Sequence, residues 1–379
     1  MDGAFEKTAA RGPEPVADTD FLQRLNRAFY GLWNLGAKGL VGWTPAAGGI
    51  QVLAVPITTL FRAAGAHPRV FVDRRRMGVQ TFASVAAQFG ITPVEIPLPD
   101  PAARAPGLPL EALIERVFAQ YAVTTTHQRA VLLIGIDEFS LFSPEQQAAQ
   151  LTMLEFALNI AEEQVRLKGV PIDLGRSTTG DGFYLWNRNK GFEADLALFA
   201  VFMLALAVHA SMQQQDRYSY VPAIRSCFGL GSHYGYAHPN PREPSAHDYI
   251  VGDVTIRLAR LIEKTRRNQI VFAEFTRQLD DKATVNTSGF LHHAAGIVEM
   301  LRGRPLGDSA IERISTYLTG PKTGDGDFQV TRLTITDKHG VDPFAYNAKV
   351  NVFLEDGAPI YLGLQDRDVP AEFTVRRGG

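Results

Sequence analysis

Two aspartates stand where their neighbours give a carboxylate work to do. Asp137 ends an apolar run, Ala130-Val131-Leu132-Leu133-Ile134-Gly135-Ile136. Asp181 stands in Gly180-Asp181-Gly182, between Ser177-Thr178-Thr179 and Phe183-Tyr184. The first pattern reads as a buried strand. The second reads as a hairpin turn. A carboxylate at a strand end and another at a neighbouring turn can converge on a hard divalent cation, with the Glu138 carbonyl as a further oxygen. Gly-Asp-Gly by itself is usually only a turn, so the weight falls on the elements around it.

Composition sets the frame. With 379 residues the chain is long enough for two or three domains. A hydrophobic fraction of 45% supports real cores. A formal charge of −2 gives no general reason to expect nucleic acid or an anionic membrane as partner. Cys227 is the single cysteine, so no intramolecular disulfide forms and a reducing, cytoplasmic setting is expected. No signal peptide is visible at the N-terminus. The most apolar stretch, Leu196 to Val208, is shorter than the roughly 20 residues a bilayer crossing needs, and reads as a buried helix.

Residues 1–20, rich in Ala, Pro, Gly and charge, are expected to be disordered. Leu22, Leu25, Phe29 and Leu32 predict a first helix over 21–35. Short strands at 51–55, 69–73 and 92–96 alternate with helices at 57–64 and 77–89, which suggests a small α/β layer in an extension of unknown role, 21–127. Arg74-Arg75-Arg76 reads as a solvated helix start rather than a phosphate site. A Pro-rich linker, 97–109, precedes a helix over 110–121.

The central block, 128–275, reads as β-α-β-β-α-β-β-α-β, an α/β sandwich of the ferredoxin-like kind. Ser143 and Pro144 open its first helix as cap and first residue. A helix over 252–264 turns Val254, Leu258, Leu261 and Ile262 inward and Arg257, Arg260 and Lys264 elsewhere. His233 reads as a core or hairpin histidine.

In this order the residues resemble the catalytic domain of class III nucleotidyl cyclases. The likeness rests on a strand-end acid followed by Phe139-Ser140, on Gly180-Asp181 in a hairpin, on Gly231-Ser232-His233-Tyr234-Gly235, and on Gly252-Asp253 followed by Ala259-Arg260-Leu261. It implies two Mg2+ or Mn2+ ions held by Asp137, Asp181 and the Glu138 carbonyl. It also implies a phosphate loop through Phe139, Ser140 and Phe142, and Arg260 as the catalytic cation, supplied across a head-to-tail homodimer. The sequence departs from the family at four places. Alignment on Phe139-Ser140 puts Gly135 where the first acid stands. Ile256 takes the place of the helix asparagine. Ser177, with Arg176 beside it, takes the place of the purine-reading lysine. Tyr249, next to Asp248, takes the place of the purine-reading acid.

The short Ser177 and the bulky Tyr249 point to a base smaller than a purine. A second resemblance covers 306–379, beyond a connecting segment at 276–305. There Ile335-Thr336-Asp337-Lys338-His339-Gly340, Ala345-Tyr346-Asn347 and Ile360-Tyr361-Leu362-Gly363 are similar to an adenylyl/guanylyl and SMODS C-terminal sensor domain. Together the two resemble the pyrimidine cyclases of Pycsar anti-phage systems. That implies conversion of UTP, or alternatively CTP, to the 3′,5′-cyclic nucleotide and pyrophosphate, with a separate effector protein reading the product. UTP is favoured over CTP because no carboxylate is in register for cytosine's amino group. A purine cyclase, a diguanylate cyclase or polymerase palm, and a catalytically inactive nucleotide sensor are the rivals. Gly324-Asp325-Gly326-Asp327 repeats the acid turn without a strand-end acid nearby and reads as a surface loop.

Overall fold

The computed structural model describes residues 16–63, 71, 75–98, 109–216, 218–240, 242–279, 283–321, 329–334, 344–369 and 374–375. They fall into two compact units. One comprises residues up to 126 together with 234–249; the other comprises 127–233 and the residues from 250 on.

The first unit opens with α1 (Val16–Trp33), so residues 16–20, expected to be disordered, are helical. A three-stranded antiparallel sheet follows, β1 (Lys38–Ala46), β2 (Gly49–Pro56) and β3 (Val94–Pro97). α2 (Ile57–Ala63), α3 (Val79–Phe89) and α4 (Leu110–Phe118) complete it. α1 and α4 pack on one face through Leu25, Phe29, Ile114 and Phe118, and α2 and α3 on the other through Leu60 and Phe82. β1 was not expected, because Gly39, Gly42 and Pro45 read as breakers. Gly42 leaves room for Met77: a Cβ there would stand 2.5 Å from the Met77 methyl, which would have to shift.

Arg75 corrects the expectation of a solvated arginine run. It is 1% exposed, and its guanidinium donates to the carbonyls of Val41 and Val123. Arg76 pairs with Glu111, and Glu115 accepts from both backbone amides and from the Trp43 indole. Arg74, most of the expected strand at 69–73 and most of the Pro-rich linker lie outside the described residues.

The second unit is built on β4 (Thr124–Ile136), α5 (Pro144–Leu167), β5 (Leu174–Thr178), β6 (Gly182–Asn187), α6 (Phe192–Gln213), β7 (Ile224–Asn240), α7 (Asp253–Lys264) and β9 (Ile270–Ala273); residues 124–126 of β4, 234–240 of β7 and most of β8 (Glu243–Val251) fall in the first unit. Its core strands lie in the order β9-β7-β4-β6-β5. This is the expected α/β sandwich, with the β-α-β-β-α-β unit in ferredoxin-like strand order. β4 is buried on both faces. Its even residues Ala130, Leu132, Ile134 and Ile136 meet α5 and α6, and its odd residues Val131 and Leu133 meet Val254, Leu258 and Leu261 of α7.

The C-terminal residues do not form a separate body. β10 (Thr276–Gln278), β11 (Thr284–Asn286), α8 (Thr287–Glu299), β12 (Pro305–Leu306), β13 (Ser309–Leu318), β14 (Leu333–Thr334), β15 (Phe344–Leu354), β16 (Ile360–Leu362) and β17 (Thr374–Val375) belong to the same unit. β15 pairs antiparallel with β9, Ala345 facing Ala273 and Ala348 facing Ile270, so the sheet continues through β15 to β13 and β12. The boundary expected at 306 therefore falls inside one sheet. The motif 335–340 and the loop 324–327 lie outside the described residues.

α6 is long and apolar enough to cross a membrane, and it is buried from Ala194 to Met212 inside this unit. His209 on it is 3% exposed. Burial pushes its imidazole down to about 4, against a hydrogen bond to the Pro222 carbonyl. A histidine held neutral costs nothing above its unfolded value near 6.5 and destabilises the fold as pH drops from there toward 4. Unfolding titrations should therefore show a loss of up to roughly 3 kcal/mol across that window. His209→Leu should flatten it, and an unchanged pH profile in that variant would show that other groups cause the loss.

Candidate functional site

The site is assembled where β4 ends. Ile136 donates its amide to the Asp181 carbonyl at 2.8 Å, and Asp137 donates to Ala223 at 2.9 Å. The strand end is thereby tied to the hairpin on one side and to the approach to β7 on the other. Gly182 faces Gly135 in the β4–β6 ladder. A Cβ on Gly182 would stand 1.9 Å from the Ile134 carbonyl oxygen, so only glycine permits this approach. Gly180 holds φ at +96°, a left-handed conformation that glycine adopts without penalty. The two glycines fix Asp181 against the end of β4.

Asp181 points at Gly135. A Cβ on Gly135 would lie 3.6 Å from Asp181 Oδ2, 3.6 Å from Arg225 Nε and 3.4 Å from Ile262. Arg225 Nη2 stands 3.4 Å from Asp181 Oδ2, and Nη1 donates to the Ile262 carbonyl at 3.3 Å. Asp181 Oδ1 accepts from the Thr179 hydroxyl at 2.9 Å. Thus the hairpin acid is engaged by an arginine that sequence reasoning passed over. The available signal was a lone charge in the apolar run Ala223-Ile224-Arg225-Ser226-Cys227-Phe228.

Asp137 and Glu138 open into a cleft of about 500 Å³, lined also by Glu263, Lys264, Thr265, Arg266 and Arg267. The cleft meets the C-terminal end of α7, where Lys264, Arg266 and Arg267 line it beside Glu263. A volume of a few hundred Å³ or more suits a small-molecule ligand. Glu138 turns the chain with a φ of 53°, and its carbonyl accepts from Leu141 at 2.9 Å. Phe139–Leu141 form a short 3-10 turn, and the Phe142 amide bonds to Phe139 at 3.3 Å. The amides of Leu141 and Phe142 are thus used within the loop. Ser143 caps α5 in a reciprocal box with Gln146, as the Ser-Pro pair predicts.

The other expected residues are distributed. Arg260 is half-buried on α7, one turn before Lys264, and is not among the residues that line the cleft. Ile256 is 50% exposed. Ser177 pairs with Tyr184 in the β5–β6 ladder. Arg176 turns to α5, donating to Asn159 at 2.6 Å and to Glu162 at 2.7 Å, so it is not brought to the Ser177 side. Tyr249 belongs to the first unit, where its ring stacks on Tyr236 with centroids 5.5 Å apart. His233 is 2% exposed with Nε2 beside Arg129 at 3.4 Å, a core position. Burial pushes the Cys227 thiol up to about 12, which leaves it protonated and unsuited as a nucleophile.

The donors present do not fit a two-ion centre. Among the described residues no three His, Cys, Asp or Glu side chains gather as a metal site. Gly135 offers no ligand, and Asp181 is committed to Thr179 and Arg225. Asp137 lines the cleft and Asp181 does not.

No protein-family profile and no curated relative matches the chain. Solved structures that it is similar to include the guanylate cyclase domain of RhGC from Catenaria anguillulae in complex with GTP, at 11% identity and a TM-score of 0.35, covering 62% of this chain and 100% of that one. The adenylyl cyclase CyaB from P. aeruginosa is similar at 12% identity and a TM-score of 0.33, covering 62% and 97%. A dimeric guanylyl cyclase domain of the RhoGC fusion protein from the aquatic fungus Blastocladiella emersonii is similar at 10% identity and a TM-score of 0.34, covering 59% and 97%.

Proposed function

We propose that the second unit binds a nucleoside triphosphate in the cleft below β4 and cyclises it, with UTP as substrate and CTP as the alternative. The observation that carries this reading is the cleft itself, whose lining combines Lys264, Arg266 and Arg267 with Asp137, Glu138 and Glu263. Cationic side chains are what a triphosphate requires, and an acid at the strand end suits the ribose side. In the reaction the ribose 3′-hydroxyl loses its proton and attacks the α-phosphorus in line. The bond to the bridging oxygen breaks and pyrophosphate leaves. Charge developing on the phosphates is met by the cations of the cleft and by Arg260, the latter across a head-to-tail dimer. The pyrimidine preference rests on the sequence, where Ser177 takes the place of the purine-reading lysine. A cyclic pyrimidine nucleotide made this way is a second messenger for a separate effector in defence against phage.

A second reading, a nucleotide sensor without turnover, is favoured by the Arg225–Asp181 ion pair and by Gly135. One experiment separates the readings. The protein is incubated with equal ATP, GTP, CTP and UTP and Mn2+, and products are identified by mass spectrometry. Cyclic UMP is the expected product, and cyclic CMP changes only the choice between pyrimidines. Cyclic AMP or GMP as main product removes the base argument, and a linear or dinucleotide product removes the cyclase. Bound, unchanged nucleotide establishes the sensor.

A further inference from the structure

We infer that Arg225 is a built-in cation that holds Asp181 and keeps divalent ions away from it. A hard divalent ion takes oxygen ligands at about 2.0–2.6 Å, of which one or two carboxylates are the protein's usual share, with waters or phosphates for the rest. At the β4–β6 hairpin the carboxylate is already engaged. Asp181 Oδ1 accepts from the Thr179 hydroxyl, and Oδ2 faces the Arg225 guanidinium. The residue opposite, Gly135, has no side chain, and the room it leaves is bordered by Arg225 Nε. That Nε is buried, with no hydrogen-bond partner among the described residues. The guanidinium is anchored at its other end by the Ile262 carbonyl on α7. It is therefore fixed in place rather than swinging free on its stem.

Two features make this more than a surface pair. Both side chains are partly shielded, at 23% exposure for Arg225 and 36% for Asp181, so water screens the pair incompletely. Arg225 lies on β7 immediately before the parallel β7–β9 pairing, which begins with Ser226 opposite Ile270, so its backbone is set by the sheet. A divalent ion at Asp181 would have to displace a guanidinium that the fold positions, or sit beside it against like-charge repulsion. Removing the guanidinium leaves the carboxylate with one accepted hydroxyl and an open side.

Direct Mn2+ binding tests this without nucleotide, by the loss of the free-ion electron paramagnetic resonance signal. It thus succeeds or fails independently of any cyclase activity. The full chain is compared with Arg225→Met, Arg225→Lys, Asp181→Asn and the double variant Arg225→Met/Asp181→Asn. Wild type should show no Mn2+ uptake that Asp181→Asn removes. Arg225→Met should bind Mn2+ at least about tenfold tighter, as expected when a neighbouring like charge is removed. The double variant should lose that gain, and Arg225→Lys should resemble wild type. If wild type takes up Mn2+ in a manner abolished by Asp181→Asn, the inference is overturned. So it is if Arg225→Met, folded by circular dichroism, gains nothing. Should Arg225→Met fail to fold, the comparison of wild type with Asp181→Asn still decides.

Discussion

Removing residues 306–379 is expected to unfold the second unit rather than release it from control. β15 lies beside β9 with four residues in register, and β13 lies beside β15. Ile311, Ile314, Leu318, Ala348, Val350 and Val352 from these strands are buried in the same core as α6. Each large aliphatic side chain so placed contributes about 1.5–3 kcal/mol. Five of them together rival the roughly 5–15 kcal/mol that holds a whole domain folded. The truncated chain also leaves β9 as an unpaired edge with apolar neighbours, a template for aggregation. A thermal melt of residues 1–305 checks this. A cooperative transition within a few degrees of the full chain would show that the C-terminal strands are an accessory after all.

The second large effect concerns a buried ion pair. Asp195, in the first turn of α6, is 3% exposed. It accepts from the Ala130 amide at 2.7 Å and from Arg277 Nε at 2.7 Å. Arg277, 8% exposed, also donates to Gln128 and to the Gln278 carbonyl. The group joins β4, α6 and β10. Burial raises the Asp195 carboxyl above its usual value, while the Ala130 amide and the Arg277 guanidinium oppose that shift. Arg277→Leu strips the counter-charge and should cost about 3–5 kcal/mol at neutral pH, the usual range for a buried charge left alone. The sign with pH follows from the raised carboxyl. Its ionisation penalty is absent below the unfolded value near 3.8 and grows as pH rises toward the folded value. The variant should therefore lose less stability near pH 4 than at pH 8 in urea titrations. An equal loss at both would mean that Arg277 acts by packing, not charge.

The central sandwich was legible because each element obeys its own period. β4 reads as a continuous apolar run because helices cover both its faces, and α6 as an apolar block because every face of it is covered between Ala194 and Met212. The Ser143-Pro144 start and the Gly180-Asp181-Gly182 turn are set by local backbone chemistry, so spacing alone locates them. What spacing could not show depends on contacts far apart in the chain. Gly39, Gly42 and Pro45 look like breaks until Met77 and Leu60 are seen against the strand they belong to. Arg75 looks solvated until the carbonyls of Val41 and Val123 come round to it. The C-terminal strands look like a separate module because their pairing partner, β9, is about 70 residues earlier. At the site, the turn acid was readable and its partner was not. Arg225 is 44 residues from Asp181, and no local pattern links them.

The burial of α6 has a consequence for how the chain is made. Part of its cover, on β4 and α5, precedes it, and the rest, on α8, β13 and β16, is synthesised later, the last of it Ile360–Leu362. At ordinary translation speeds that interval is on the order of ten seconds. During it, a 22-residue helix with the hydropathy of a membrane span is only partly covered. Until the C-terminal strands are made, the nascent chain thus carries an apolar face that later packing covers.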